Sequence, residues 1–380
     1  MIPVAFEKVW IENKIANHSK TQQILSKLGN VEIGYFDDLN ALIHSTPTIF
    51  HPKERSKTLV LSAIRGEILR KCPGTHGHLC CNYHIINQYI GCPIGCSYCI
   101  LQGYLNQPFT IINVDIESIF EELENFRKTH PGKQIRIGTG ELGDSLVYDH
   151  LTHFSEDFLN FFAGRDEFIF EFKTKTTTID LLLQHTLLSK SFPNIVVGFS
   201  VNPDIVRINE EEFSATLKER IEAAAALVNA GYKIALHFDP IVLIPNAEQE
   251  YRQTVNFIFS LLKPEDIAWI SLGTFRYTNE LKSMMEYNYP KSSLLSREFV
   301  LCSDNKFRYF RPIRTKLYKM VVNFLHDVNK NLPIYLCMES PEVWLDTLGI
   351  LPGNCSGCSQ EETMDLLFRR RVTLKKGNEN

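Results

Sequence analysis

The 380-residue sequence lacks several things, and each lack excludes a class of protein. Its apolar runs are broken by charges or prolines before they reach the about 18 residues that cross a bilayer, which argues against a helical membrane span. Residues Met1 to Trp10 hold no apolar stretch of the kind a secretory leader carries, so the ten cysteines read as reduced thiols of a soluble, cytoplasmic protein and not as a disulfide framework. A basic excess is also missing. Forty Lys and Arg against 44 Asp and Glu leave a net charge of −4, so any contact with nucleic acid is expected to be local. With 44% hydrophobic residues, the chain has enough apolar material for one large core and a smaller appended piece.

What the sequence does carry is a tight triplet of thiols. Cys92, Cys96 and Cys99 lie at spacings of four and three, and a loop this short turns three sulfurs toward one point. Three thiolates leave a tetrahedral zinc or a fully ligated iron–sulfur cube one ligand short. Either a distant residue completes a zinc site, with Cys80, Cys81 and His84 as candidates, or one iron stays open. Gly91 and Gly95 relieve the backbone where it wraps the metal, and Tyr98 is placed beside it.

From position 83 the pattern becomes regular. Apolar, β-rich runs at 83–90, 134–137, 168–172, 194–201, 232–238 and 267–272 read as strands, and 116–129, 150–162, 179–188, 214–230 and 248–262 read as helices. This alternation predicts parallel βα units, and both a doubly wound sheet and an open barrel satisfy it. The thiol loop follows the first strand, at the rim where barrel enzymes place their chemistry, which selects an α/β partial (β/α)6 TIM-like barrel with N-terminal and C-terminal extensions. The expected boundaries are 1–80, 81–280 and 281–380.

Polar residues gather where these strands end: Gly138-Thr139-Gly140-Glu141, Lys173-Thr174-Lys175, Ser200-Val201-Asn202, His237-Phe238-Asp239 and Arg276. Beyond 280, Arg308, Arg311, Arg314, Lys316 and Lys319 are interleaved with Phe307, Tyr309 and Phe310, a pattern that suits either phosphate and base contacts or a hairpin packed on the barrel. A helix at 317–328 and a short strand at 333–338 follow. Cys355 and Cys358 form a lone pair, short of the ligands a second metal needs, and Arg369 to Arg371 read as the solvated face of a last helix.

Taken in order, these residues resemble the spore photoproduct lyase family of the radical S-adenosylmethionine superfamily. The likeness runs through Pro73-Gly74-Thr75, Cys80-Cys81-Asn82-Tyr83, Cys92 to Asn106 with Tyr98-Cys99-Ile100-Leu101-Gln102, and Asp144 with His150-Leu151-Thr152. It continues through Phe199-Ser200-Val201-Asn202, Lys218 to Ala224 and Ala230-Gly231-Tyr232, and covers about 55–345. The resemblance implies a [4Fe–4S] cluster on Cys92, Cys96 and Cys99, bound S-adenosylmethionine, and an external electron donor of flavodoxin or ferredoxin type. It also implies radical cleavage of a thymine dimer, 5-thyminyl-5,6-dihydrothymine, in DNA. Lys175, Ser200 and Asn202 are the implied polar groups around the cofactor, Tyr98 an implied catalytic group, and the segment near Arg308, Tyr309 and Arg311 the implied contact to damaged DNA.

In two places the sequence departs from the family pattern. Glu141 stands about where the family places the cysteine that returns a hydrogen atom, and Ile100 replaces the second of two tyrosines flanking the last cluster cysteine. An alternative therefore stays open, a radical enzyme acting on a nucleoside, peptide or metabolite, as does a zinc-stabilised nucleic-acid-binding module without catalysis. Glu141 has its own reading. Gly-x-Gly-Glu resembles the Gly-Gly-Glu element of radical S-adenosylmethionine enzymes, whose carboxylate meets the cofactor's ammonium; the other reading of Glu141 is a helix N-terminal carboxylate.

Overall fold

The computed structural model describes residues 6–47, 51–74, 77–79, 81, 83–186 and 192–352, so Thr75, Cys80, Asn82, Cys355, Cys358 and the Arg369 to Arg371 run lie outside the described residues. The main sheet has eight strands in the order Ile334–Leu336, Ile267–Thr274, Lys233–Ile241, Ile195–Ser200, Phe168–Thr174, Ile135–Gly138, His84–Ile85 and Arg70–Lys71. All neighbours are parallel except the last pair. This is the expected run of βα units, with one addition: Ile334–Leu336, from the expected C-terminal extension, pairs with Ile267–Thr274 as a further strand.

Period-two alternation sorts the strand residues between the two faces. On Phe168–Thr174, the even positions Phe168, Phe170 and Phe172 pack outward on helix Phe154–Phe162. Phe162 stacks on Phe170 at 4.2 Å and meets Phe168 edge-on at 5.4 Å, while Phe158 lies 4.9 Å from Phe170. Each such pair contributes about 0.5–1.5 kcal/mol beyond its buried area. The odd positions Glu171 and Lys173 are thereby left on the inner face. Inside, Glu171 Oε1 is 2.6 Å from His237 Nε2, and Arg136 lies 3.4 Å from Glu171 Oε2. The Arg136 guanidinium sits 4.1 Å from the Trp269 ring and 4.9 Å from the Tyr83 ring. The barrel interior is thus polar as well as apolar. Gly198 makes room for it, because a Cβ there would lie 2.6 Å from Glu171 Oε1 and 2.7 Å from His237 Nε2.

Two predicted elements divide. The run 83–90 contributes His84–Ile85 to the main sheet and Tyr89–Ile90 to a second sheet, ordered Glu32–Phe36, Lys8–Glu12, Thr58–Ser62, Thr110–Asn113, Tyr89–Ile90. Residues on both sides of position 80 share this second sheet. The helix predicted at 150–162 is two, Asp149–Thr152 and Phe154–Phe162, because His153 adopts φ 52 and the Asp149 carboxylate turns to accept from Ser155 N at 2.9 Å. Helix Ile116–Thr129 falls where predicted. A third, antiparallel sheet joins Arg276–Tyr277, Phe307–Tyr309 and Phe299–Leu301. Among the described residues no helix is long and apolar enough to cross a membrane.

Candidate active site

Because the chain leaves the main sheet after Ile85 and enters the second sheet at Tyr89, the thiol loop begins between the two sheets. Gly91 N then donates to Leu142 O at 2.7 Å, which fixes the loop beside the end of strand Ile135–Gly138. Gly91 (φ 113) and Gly95 (φ 69) take left-handed conformations, so the expected backbone relief is present. The far side of the loop pairs with the segment after strand Ile195–Ser200: Ser97 N donates to Glu210 O at 2.8 Å and Phe213 N to Ile94 O at 2.9 Å. Arg55, Gln102 and Tyr289 also reach loop or adjoining carbonyls, at 3.1 Å to Leu101 O, 2.7 Å to Ser97 O and 3.1 Å to Gly95 O.

Cys92, Cys96, Tyr98, Cys99, Glu141, Asp144, Lys175 and Ser200 line one cavity of about 180 Å³ at the C-terminal ends of the strands. The structure therefore brings together the three thiols, Tyr98, Glu141, Lys175 and Ser200. Asn202 is not in that lining. It is buried behind the rim, where its Oδ1 accepts from Tyr251 Oη at 3.4 Å and its Nδ2 has no partner among the described residues. Burial pushes all three thiols up from their ordinary values, so they are neutral unless a bound metal takes their protons. Cys81 and His84, the other described candidates for a zinc ligand, are absent from the cavity; His84 packs against the Phe126 ring at 5.1 Å. No group of three His, Cys, Asp or Glu among the described residues has the geometry to hold a single metal ion.

Glu141 accepts from Arg70 Nη2 and from Asn87 Nδ2, each at 2.8 Å on Oε2. No helix begins there, since the next one starts at Asp149, and the helix-terminus reading of Glu141 is overturned. Asp144 is saturated: Leu146 N, Val147 N and the Thr174 hydroxyl donate to Oδ1, and Lys175 N donates to Oδ2 at 2.7 Å. Its pKa is raised, with burial as the main cause.

The residue that sequence reasoning missed is Glu211. Its Oε1 accepts from Lys175 Nζ at 2.9 Å and from the Tyr98 hydroxyl, and its Oε2 accepts from Arg220 Nη2 at 2.7 Å. Burial alone would raise this carboxyl, yet Lys175 and Arg220 hold it below the usual range. Arg220 reaches the site because Thr216 and Glu219 close a capping box at the start of helix Leu217–Asn229. The only sequence signal was the acidic run Glu210-Glu211-Glu212, at the end of helix Asp204–Glu210, which reads equally as a solvated turn.

The expected DNA-contact segment divides in two. Arg308 is buried and forked onto Asp304 at 2.6 and 2.8 Å, and Tyr309 is buried with its hydroxyl accepting from Leu243 N at 3.1 Å. Arg314 pairs with Glu339 at 3.0 Å. These three hold the fold. Helix Arg311–Val328 begins six residues before the predicted 317, leaving Phe310, Arg311, Lys316 and Lys319 exposed.

Fold and site together define an α/β protein whose parallel strands end at a three-thiol cavity walled by charged groups. A family model described as spore photoproduct lyase matches residues 71–312, and the chain belongs to that family. It is 30% identical over 208 residues to spore photoproduct lyase of Bacillus subtilis (strain 168), a stretch that covers 54% of this chain and 59% of that relative. Against spore photoproduct lyase of Clostridium acetobutylicum the identity is 24% over 296 residues, covering 76% of this chain and 84% of the relative. The chain thus spans less than two thirds of the Bacillus relative it matches. Among solved structures, a doubly substituted spore photoproduct lyase with bound AdoMet and dinucleoside spore photoproduct aligns with TM-score 0.75 at 21% identity, covering 88% of this chain and 98% of that one. A spore photoproduct lyase complexed with dinucleoside spore photoproduct aligns with TM-score 0.74 at 21% identity and the same coverage. These alignments establish the fold, a partial TIM-like barrel.

Proposed function

We propose that this chain is a radical S-adenosylmethionine carbon–carbon lyase that returns 5-thyminyl-5,6-dihydrothymine in DNA to two thymines. The observation that carries the reading is the single cavity shared by Cys92, Cys96 and Cys99 with Glu141, Lys175 and Ser200, in a chain of this family. The donor set suits the group it would hold. Three soft thiolates would match three irons of a [4Fe–4S] cluster and leave the fourth open, and the carboxylate of Glu141 in the same lining would match a cationic amine. Such a charge-assisted contact contributes about 1.5–3 kcal/mol. The unpartnered Asn202 Nδ2 is a buried donor behind the same rim.

When bound, the cluster and S-adenosylmethionine supply the reducing electron and the hydrogen-abstracting group. The protein's own residues bind, orient and exclude water. Arg70 and Asn87 aim Glu141, while Glu211, Lys175 and Arg220 anchor the thiol loop against the strand ends. Tyr98 keeps its proton, since burial raises its pKa well above the ordinary value, and its hydroxyl is held between Lys175 and Glu211. For the DNA contact, exposed Lys316 and Lys319, with Arg311 beside them held by Asp346 at 2.9 Å, replace the buried Arg308 and Tyr309 as the groups that meet phosphates. An electron donor of flavodoxin or ferredoxin type completes the cycle.

The test is anaerobic reconstitution with iron and sulfide, followed by reductive cleavage of S-adenosylmethionine with and without dimer-bearing DNA. Dimer-dependent release of thymine supports the lyase. Because Glu141 occupies the place of the family's donor cysteine, cofactor cleavage without dimer opening would favour the alternative, a nucleoside, peptide or metabolite substrate.

A further inference from the structure

Of the barrel strands, the thiol cavity draws on the ends of Ile135–Gly138, Phe168–Thr174 and Ile195–Ser200, and its lining stops at Ser200. The next two strands around the rim continue the same inner face. Ser200 is in register with His237, and His237 with Ser271. Two residues further along each strand, period-two alternation returns Asp239 and Gly273 to the inside. They meet there, since a Cβ on Gly273 would lie 2.6 Å from Asp239 Oδ1. Arg276, just past the second of these strands, reaches the same carboxylate, with Nη1 3.3 Å from Oδ1 and Nη2 3.4 Å from Oδ2.

This pair differs from the charges deeper in the barrel. The side chains of Arg136 and Glu171 are 5% and 1% exposed, a sealed floor, whereas those of Arg276 and Asp239 are 19% and 26% exposed at the rim. Both contacts are also long for a guanidinium on a carboxylate, which closes to about 2.7–2.9 Å when tight. A carboxylate has about four acceptor sites and a guanidinium five N–H groups, so a loose side-by-side pair keeps an acceptor and a donor for a second partner. Arg276 is in register with Arg308 on strand Phe307–Tyr309, and that strand runs into Phe310 and the helix bearing the exposed Lys316 and Lys319. The pair thus joins the rim of the thiol cavity to the segment assigned to phosphates.

We propose that Asp239 and Arg276 together recognise the imide edge of a thymine-derived ring in the dimer, Asp239 accepting from N3–H and Arg276 donating to the neighbouring ring carbonyl. This rests on the lyase reading. Thymine and dihydrothymine both present C2=O, N3–H and C4=O side by side, an acceptor–donor–acceptor row, and an acceptor beside a donor matches two of the three. A cytosine ring has a bare acceptor at N3, which would face the carboxylate with like polarity. A site built to hydrogen-bond a substrate N–H rejects the analogue without it far more strongly than an apolar wall does. Neither residue is in the lining of the thiol cavity, so the pair decides which base is accepted and leaves cofactor binding alone.

Calorimetric binding of the dinucleoside dimer to reconstituted protein, with S-adenosylmethionine and without reductant, tests this when repeated with a dimer methylated at N3 of both rings. Wild-type protein should bind the methylated dimer about tenfold or more weakly, the loss of one charge-assisted contact. Asp239→Ala should bind the unmethylated dimer about tenfold or more weakly than wild type and the two dimers within about twofold of each other, with affinity for S-adenosylmethionine and cluster absorbance unchanged. In turnover its loss should fall on KM, with kcat kept. The comparison of the two dimers on wild-type protein holds even where the variant melts early. A wild type that binds both dimers equally, or an Asp239→Ala protein that still discriminates as wild type does, overturns the assignment and leaves the lyase reading standing. A wild type that binds neither dimer removes the lyase reading and the assignment together.

Discussion

Lys175 Nζ lies 2.9 Å from Glu211 Oε1, and this contact ties the end of one barrel strand to the segment on which the thiol loop rests. Both side chains are largely buried, and Arg220 balances the second oxygen of the carboxylate at 2.7 Å. The site thus stands on one buried anion shared by two cations and a phenol.

Removing that anion leaves two buried cations without a counter-charge. Glu211→Gln should destabilise the protein by about 3–5 kcal/mol, the usual cost of breaking a buried pair by deleting one partner. Denaturant unfolding measures it. Iron retention after reconstitution should fall alongside, because Ser97 and Phe213 pair the loop with the same segment. A variant of wild-type stability would mean that water already screens these charges.

Gly198→Ala should cost about 1–3 kcal/mol by overpacking. Its new methyl would press on Glu171 Oε1 and His237 Nε2, at 2.6 and 2.7 Å, which have no room to retreat because they are bonded to each other. Thermal melting checks this, and Gly198→Ala in a Glu171→Gln background should cost less.

The same pair sets an acid limit. Burial, and then Lys173, hold the His237 imidazole below its ordinary 6.5, so the neutral ring donates Nε2–H to Glu171. Burial alone would raise Glu171, but His237 and Arg136 bring it from 4.5 down to about 2. Both folded values are depressed. The histidine's contribution to stability is therefore complete above 6.5 and lost as pH falls through its folded value, and the glutamate's is complete above 4.5 and lost toward about 2. Stability measured by denaturant should decline on acidification below about 6.5 and more steeply below about 4.5, and His237→Gln should remove the first part of the decline. A wild-type profile flat from neutrality to pH 4.5 would contradict this.

Glu141→Gln should weaken S-adenosylmethionine binding about tenfold or more, the loss of one charge-assisted contact, with little change in melting. Equilibrium binding to the reconstituted protein is the measurement. Arg70→Ala should act in the same direction, because Arg70 aims the carboxylate. Unchanged affinity in Glu141→Gln would remove Glu141 from the cofactor site.

The parallel sheet was legible because its strands read as near-continuous apolar runs between amphipathic helices, Ile116–Thr129 being an example. The second sheet was not. Thr110–Asn113 is only four residues long, and Tyr89–Ile90 is two residues long and only three residues past a strand of the other sheet, so neither carries a periodic signal. Within the site, Cys92, Cys96 and Cys99 were visible because their ligand chemistry is local. Glu211 gains its meaning from partners far away in sequence, at positions 175 and 220. Arg308 and Tyr309 were misplaced for the opposite reason: a basic residue beside an aromatic suggests a nucleic-acid surface, and Asp304 four residues earlier neutralises the arginine inside the hairpin.

The central claim, an open-iron cluster on three cysteines that cleaves S-adenosylmethionine, is tested most directly by comparing wild type with Cys92→Ala after anaerobic reconstitution and reduction. The wild type is expected to show the broad visible absorbance of a [4Fe–4S] cluster and to release 5′-deoxyadenosine, and Cys92→Ala to do neither while melting as a folded protein. A colourless, zinc-loaded wild type, or a Cys92→Ala protein that cleaves S-adenosylmethionine at the wild-type rate, would contradict it.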